Sequence, residues 1–313
     1  MTGDQVTDDP LAVQARRLAE VDPLLPPLPA DPTDGQSVIL AATLPSGAEV
    51  RGRLRHQVLQ PGTPFTLWSA MSCWELFPRI GAEPGTGMTA LLREWLRHMG
   101  SVGRQPDDSA CLVRWPSRDT VGSGPLLRHG FLPVAVLAVR TGRAESFAAP
   151  DITVRRARRG DLDTAVRIAM AEMTYSVSVG NTVLRPDAAD IRRASLARRI
   201  IQGDPILLAE RDGELVGLAD CSLHDSDPVR GWSLVPAGRW GYVGMLSVLP
   251  GARGSGVGRA LMSEAHREFA EAGAIGSYLY YNPPNPLSSV FWPRQGYRPL
   301  WTTWELRPAW ALR

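Results

Sequence analysis

Between Tyr242 and Ala272 the chain reads YVGMLSVLPGARGSGVGRALMSEAHREFAEA, and this stretch restricts the fold more than any other. Val243 to Leu249 is an apolar run rich in β-branched and aliphatic residues, the composition of a buried strand. Pro250 ends it, and Arg253, Gly254, Gly256 and Gly258 form a short glycine-rich turn. Val257, Leu261, Ala265 and Phe269 then recur with helical period. Strand, glycine turn and helix together make a phosphate-binding geometry. Unsatisfied N–H groups at the helix start and the helix dipole favour an anion, and glycines let the main chain approach it. Two familiar nucleotide motifs do not fit. The dinucleotide fingerprint needs G-x-G-x-x-G early in a domain with an acidic residue about 20 positions later. A P-loop needs a lysine, and this chain contains none.

What the spacing does fit is R-x-x-G-x-G (Arg253, Gly256, Gly258) after the strand end Val248-Leu249-Pro250. A second segment, Asn285-Pro286-Leu287-Ser288-Ser289-Val290-Phe291-Trp292-Pro293-Arg294-Gln295-Gly296-Tyr297, follows in order. Asn285 can cap a helix that Pro286 opens, and Gly296 can end it in a left-handed conformation. The first motif resembles the acyl-coenzyme A pyrophosphate loop of the GNAT N-acyltransferases. The second resembles that family's N-x-x-A-x-x-x-Y-x-x-x-G-F signature.

The chain has 313 residues, a length that suggests two domains, and 44% hydrophobic residues, enough for packed cores. A formal net charge of +2 gives no reason to expect a nucleic-acid or membrane partner. All 34 basic residues are arginine, so the protein cannot be acylated on its own lysine side chains. Cys73, Cys111 and Cys221 are widely spaced, without a C-x-x-C or a His cluster, which argues against a structural metal or a disulfide framework. The acidic start, MTGDQVTDDPLAVQARR, lacks the apolar core of a signal peptide, and no run is long and apolar enough to span a bilayer. A cytoplasmic protein is expected.

Residues 1–35 read as a Pro-rich N-terminal segment with a short helix from Asp9 to Glu20. Strands are expected at Ser37–Thr43, Glu49–Gln60, Ala110–Trp115 and Phe131–Val139, with a helix over Gly87–Met99. Ser109 to Arg140 can be laid on Ala274 to Arg307. Trp115–Gly130 matches Tyr281–Gly296 without a gap, and HGFLP (His129 to Pro133) mirrors QGYRP (Gln295 to Pro299). Such self-similarity points to a duplicated unit. The expected architecture is therefore α/β, with two tandem GNAT-like domains at 36–145 and 151–313. Each would be a mixed, mostly antiparallel sheet with helices on both faces, joined by a polar linker around Thr141–Pro150. The loop of the first copy, Ala82 to Thr89 (AEPGTGMT), lacks the arginine and carries Glu83, which would repel a pyrophosphate. The second copy runs from a strand at Ile152–Arg156 through helices Asp161–Met173 and Asp187–Gln202. The strands Ile206–Arg211 and Glu214–Leu223 follow, paired through an Asp212-Gly213 hairpin. A loop from His224 to Arg239 would roof the acceptor site.

The resemblance implies that the fourth and fifth strands of the catalytic domain splay apart and admit the pantetheine arm. Met245, Leu246 and Val248 would then pair with it, and Arg253, Gly254, Ser255, Gly256, Val257, Gly258 and Arg259 would hold the pyrophosphate. Asn285 and Trp292 would complete the cofactor-binding set, with acetyl-CoA or another acyl-CoA as co-substrate and no metal. The implied reaction is direct attack on the thioester by an amine of a small molecule or peptide. It needs a path for the ammonium proton, donors for the oxyanion and an acid for the thiolate. The usual carboxylate positions hold Gly244 and Met245, so Asp220, His224 or Asp225 is sought as base. The usual tyrosine acid is replaced by Trp292, which has no proton to give at a useful pKa, leaving Ser288, Ser289, Tyr281 or water. A donor bound to an acyl-carrier protein and a non-catalytic acyl-CoA-binding module remain alternatives.

Overall fold

The computed structural model describes residues 10–27, 37–142, 147, 149–180, 182–228 and 233–312. The expected helix start at Asp9, Trp232 and parts of the Pro-rich segment, the linker and the roofing loop lie outside them.

The chain opens with helix α1 (Pro10–Val21) and the hairpin of β1 (Ser37–Thr43) and β2 (Glu49–Val58). Strand β3 (Ser72–Arg79), helix α2 (Pro84–Val102), strand β4 (Ser109–Pro116), short helix α3 (Ser123–Arg128) and strand β5 (Leu132–Thr141) follow. The second half holds β6 (Thr153–Arg156), α4 (Leu162–Val179), α5 (Ala188–Gln202), β7 (Ile206–Arg211) and β8 (Glu214–Ser226). It ends with β9 (Gly238–Val248), α6 (Val257–Glu271), β10 (Gly276–Tyr281), α7 (Pro286–Arg294) and β11 (Arg298–Leu306). Both residues of the Asp212-Gly213 turn have positive φ, +52° and +78°, as a two-residue hairpin turn requires.

The eleven strands among the described residues form one sheet in the order β1-β2-β3-β4-β11-β5-β10-β9-β8-β7-β6. Apart from the edge strand β6, the order is symmetric about the central β11–β5 pair. On one side β3 runs parallel to β4, and on the other β9 runs parallel to β10. The final strand of each half is exchanged: β11 lies beside β4, from Trp301 opposite Pro116 to Leu306 opposite Cys111, while β5 lies beside β10. The mixed sheet with helices agrees with the expected α/β class, but the halves share one continuous sheet rather than two separate ones.

Alternation along β7 shows how the second half is layered. Leu207 and Ala209 pack with Val257, Leu261 and Phe269 of α6, whereas Ile206 and Leu208 pack with Ala165, Ile168 and Leu196 of α4 and α5. Helices therefore cover both faces here. In the first half, Leu91, Leu92 and Trp95 of α2 pack on Leu54, Leu76 and Val113, with Trp304 and Leu306 of the exchanged β11 in the same core.

One expected loop is shorter than its sequence suggested. His224 and Asp225 belong to β8, opposite Trp240 and Arg239 of β9, and the strand runs on to Ser226. Polar residues there were misleading because only alternate positions of a strand must be apolar.

Candidate functional site

Strands β9 and β10 are neighbours only over Trp240–Val243 and Gly276–Leu279. Beyond Val243 they part, while β9 stays paired with β8 as far as Val248 opposite Gly217. The parting coincides with a bulge: the register slips between Asp220 and Cys221 opposite Met245 and Val243, leaving Gly244 as the extra residue. The result is a cleft of about 510 Å³ between the strand ends, walled by α4 on one side and by α6 and α7 on the other.

The glycine turn forms one end. Gly254 and Gly256 have φ of +79° and +93°, and Gly256 is the residue before the first turn of α6. Left-handed backbone there favours glycine, and a Cβ on Gly256 would lie 3.3 Å from the Phe147 ring. Arg253, Gly254, Gly256, Val257, Gly258 and Arg259 all line the cleft. Arg259 lies over the Phe147 ring at 4.2 Å, and the Arg253 Nε donates to the Val248 carbonyl at 3.2 Å. Ser255 does not line the cleft; its hydroxyl donates to the Ala252 carbonyl at 2.7 Å and closes the turn. Arg294 at the end of α7 adds a third guanidinium to the wall. Three arginines beside a helix N-terminus make this end suited to a polyanion.

Met245, Leu246 and Val248 line the cleft along β9. Asn285 caps α7: its Oδ1 accepts from the Leu287 and Ser288 amides at 3.0 and 3.3 Å. Trp292 meets the cleft but is 7% exposed and packs edge-on against Phe291 and Tyr297, with centroids 5.0 and 5.5 Å apart. It is a wall and core residue. Ser288 and Tyr281 also line the cleft. The Ser288 hydroxyl donates weakly to the Asn285 carbonyl at 3.4 Å, and burial raises the Tyr281 phenol above its ordinary pKa, keeping it protonated at neutral pH. Ser289 points away, with its hydroxyl on the Pro283 carbonyl at 2.7 Å.

Asp220 is not brought into the cleft. It is 2% exposed on β8 and ion-paired to α5, through Oδ2 to Arg192 at 2.8 Å and through Oδ1 to Arg199. Both of its oxygens are engaged, so the carboxylate holds α5 onto the sheet. His224 is likewise turned to its own strand, with Nε2 2.9 Å from the Ser222 hydroxyl. Burial lowers its pKa.

Sequence reasoning missed the other end of the cleft. It is lined by Glu172, Tyr175 and Ser176 of α4, Tyr280 of β10, and Trp68 from the first half of the chain. The Trp68 loop is pinned there. The Leu67 carbonyl accepts from the Val183 amide at 2.9 Å, and Arg185 donates to the Thr66 and Ser69 carbonyls and pairs with Asp108 at 2.6 Å. Glu172 is the one carboxylate among the described lining residues. A signal existed for it: Ala165, Ala169, Glu172 and Ser176 follow the helical stripe that faces the protein, where an acid is unusual.

The loop of the first half differs. Glu83 sits directly before α2 and accepts from the Thr86 hydroxyl at 3.0 Å, so a carboxylate of the chain lies beside the helix N-terminus without bonding its amides. Among the described residues no group of three or more His, Cys, Asp or Glu side chains is placed to hold a metal ion, and no helix is long and apolar enough to cross a membrane.

Comparison with known proteins agrees with this geometry. The family described as Acetyltransferase (GNAT) family matches residues 172–297, beginning at Glu172 and ending at Tyr297. Mycothiol acetyltransferases are similar over shorter stretches. The one from Amycolatopsis mediterranei is 28% identical over 137 residues, 44% of this chain and 42% of that protein. The one from Frankia alni is 38% identical over 78 residues, 25% of this chain and 23% of that protein. The matches thus span less than half the length of these relatives. A crystal structure of a GCN5-related N-acetyltransferase from Sphaerobacter thermophilus shares the fold, with a TM-score of 0.54 and 15% identity over 88% of this chain and 82% of that one. Parted strands, a glycine turn at the mouth and the capped helix α7 lie within or beside residues 172–297, the segment that carries the match to the GNAT acetyltransferase family.

Proposed function

We propose that the chain is an acyl-CoA-dependent N-acyltransferase that moves an acyl group, acetyl first among candidates, to an amine of a small molecule or peptide. The observation that carries this reading is the cleft between β9 and β10, open along Gly244–Val248 and closed at one end by the glycine turn. Amides of the turn and the Arg253, Arg259 and Arg294 guanidiniums suit the pyrophosphate and phosphate charges of coenzyme A. The main chain of β9 past Val243 lacks a β10 partner and can pair with the pantetheine amides, which carries the thioester towards Gly244. Attack by the amine creates an oxyanion that β9 N–H groups can receive, and collapse expels the thiolate. Tyr281 and Ser288 both line the cleft and carry exchangeable protons; Tyr281 is favoured as the acid because its hydroxyl has no partner among the described residues. Trp292 supplies apolar wall in place of a proton.

Two further assignments rest on the same observations. The symmetric strand order and the matching parallel pairs support a duplicated unit, with residues 36–145 as the first copy and 151–313 as the second. The Glu83 carboxylate at the start of α2 supports a first copy that does not bind coenzyme A. The test is release of free thiol from a panel of acyl-CoAs and acyl-carrier proteins with a mixed amine library. The amine that a mycothiol acetyltransferase acylates belongs in that library. Tight coenzyme A binding without thiol release for any acceptor would make the chain a binding module instead.

A further inference from the structure

We propose that Glu172 takes the proton of the attacking amine, and that it also selects for an acceptor that arrives as a primary ammonium ion. This rests on the acyltransferase reading above. Glu172 is the one carboxylate among the described residues of the cleft wall, opposite the widened part of β9 where Gly244 is bulged out. Gly244 and Glu172 line the same cleft, and a Cβ on Gly244 would lie 3.2 Å from the Tyr242 ring, so the bulge keeps a glycine at this point of the wall. The helix that bears Glu172 is fixed one turn earlier, where the Ser247 hydroxyl of β9 donates to the Ile168 carbonyl at 2.7 Å. The Ser176 hydroxyl donates to Glu172 Oε1 at 2.6 Å, which orients the carboxylate and leaves Oε2 for a proton. Trp68 and Tyr280 bring aromatic rings to this end, and the Tyr175 ring carries the Arg253 guanidinium at 5.0 Å. A cation is held by a carboxylate and by ring faces, whereas an anionic acceptor would be repelled.

The electrostatics suit the task. Burial raises the Glu172 carboxyl pKa above the ordinary range, opposed by the Ser176 hydrogen bond and the Arg253 charge. The titratable and charged groups around it are Arg253 from the glycine turn, the phenol of Tyr175 on its own helix and the phenol of Tyr280 on β10. Arg253 is also the guanidinium assigned to the pyrophosphate. Once phosphate charge neutralises it, less holds the Glu172 pKa down, so donor binding makes the carboxylate a better proton acceptor. The step balances: the ammonium gives one proton to Glu172, which passes it to solvent, and the freed amine nitrogen bonds to the acyl carbon; the C–S bond breaks, the thiolate takes a proton from the acid across the cleft, and the second proton lost by the nitrogen restores that acid.

The test compares the wild-type chain with Glu172→Gln, both saturated with coenzyme A or acetyl-CoA. Calorimetry with coenzyme A is the control: equal affinity shows the fold and the donor site intact. Carbon NMR of glutamate-labelled protein with coenzyme A bound should show two carboxyls titrating above the usual glutamate range, those of Glu172 and of the buried Glu305, and Glu172→Gln should remove one of the two signals. With acetyl-CoA and two small probe nucleophiles, Glu172→Gln should slow transfer to ethylamine by roughly 10²–10⁴-fold. Transfer to hydroxylamine, already neutral at the assay pH, should fall less. An ordinary titration of the Glu172 carboxyl, or unchanged ethylamine turnover, would overturn the proposal while leaving the acyltransferase reading standing. Absence of coenzyme A binding in the wild-type chain would instead sink that underlying reading.

Discussion

Replacing Asp220 with Asn separates two roles that the sequence leaves open for this residue. The carboxylate is 2% exposed, with Arg192 at 2.8 Å on one oxygen and Arg199 on the other. Arg199 has a second carboxylate partner, Asp204, at 2.9 Å, so it keeps a counter-charge in the variant. Arg192 does not: its side chain is 8% exposed, its Nε lacks a hydrogen-bond partner, and Asp220 is its one carboxylate among the described residues. Asp220→Asn keeps the shape and removes the charge, stranding a buried guanidinium. Breaking a buried pair in this way costs about 3–5 kcal/mol. For a chain of this size that corresponds to a drop in melting temperature on the order of 10 °C. Replacing both partners by apolar groups, Asp220→Leu with Arg192→Met, should recover much of the loss, because no unpaired charge is then left at Arg192. Urea and thermal unfolding measure the stability, and coenzyme A affinity and turnover well below the melting temperature measure the site. The expected result is a less stable protein with near-normal activity in its folded fraction. Wild-type stability combined with a loss of turnover of roughly 10²-fold or more would show that Asp220 is the proton acceptor after all.

Gly256→Val places a β-branched residue at φ +93° and against the Phe147 ring, and should abolish most coenzyme A binding by calorimetry, whereas Thr86→Val in the first-half loop should leave one site per chain. Arg253→Ala should raise the Michaelis constant for acyl-CoA by roughly 10- to 150-fold, the equivalent of 1.5–3 kcal/mol for a charged hydrogen bond, with a smaller effect on turnover. Trp292→Phe should retain most activity while Tyr281→Phe should slow turnover, most strongly for donors with a weakly acidic thiol; the opposite ranking would make Trp292 more than a wall. His266 is buried, with Nε2 2.9 Å from the Tyr297 hydroxyl, and burial lowers its pKa from 6.5 to about 3. Above pH 6.5 neither state gains from protonating it; between about 6.5 and 3 the unfolded chain binds the proton and the native one does not. Stability should therefore fall with acid over that window, and His266→Gln should flatten this part of the profile measured by urea unfolding at stepped pH.

Local spacing made the glycine-turn end of the cleft readable. The glycine turn, the strand before it and the capped helix α7 are each fixed by neighbours within a few residues, so the order of elements around Arg253, Gly256 and Asn285 could be read from the sequence alone. The far end is built from distant segments. Glu172 and Trp68 are about a hundred positions apart, and nothing in the spacing of either says that they share a cleft. The ion pairs of Asp220 were hidden for a related reason. An acid on a strand looks the same whether it meets solvent, substrate or arginines from another helix, and only the packing of α5 decides. Strand exchange was equally hidden. Period-two alternation tells which residues of β5 and β11 face a core, but both edges of a strand offer the same N–H and C=O groups.

The exchange also gives a physical reason for a first half whose own anion position has Glu83 beside it. Strand β5 hydrogen-bonds along β10 from Gly276 opposite Thr141 to Tyr281 opposite Val136, and so supports the strand that parts from β9. Without it, β10 would be an edge on both sides at the point where the cleft opens, and Tyr280 and Tyr281 would lose the neighbour that fixes them. Asn282 is tied to the same strand, its Nδ2 donating to the Val134 carbonyl at 2.7 Å. The loop before β3 contributes Trp68 to the opposite wall, held by Arg185 between α4 and α5. The first half thereby sets the width and the far end of the other half's cleft through β5 and the Trp68 loop. The sequence changes at its own helix N-terminus leave these contacts intact, because they fall on α2 and not on β5 or the Trp68 loop.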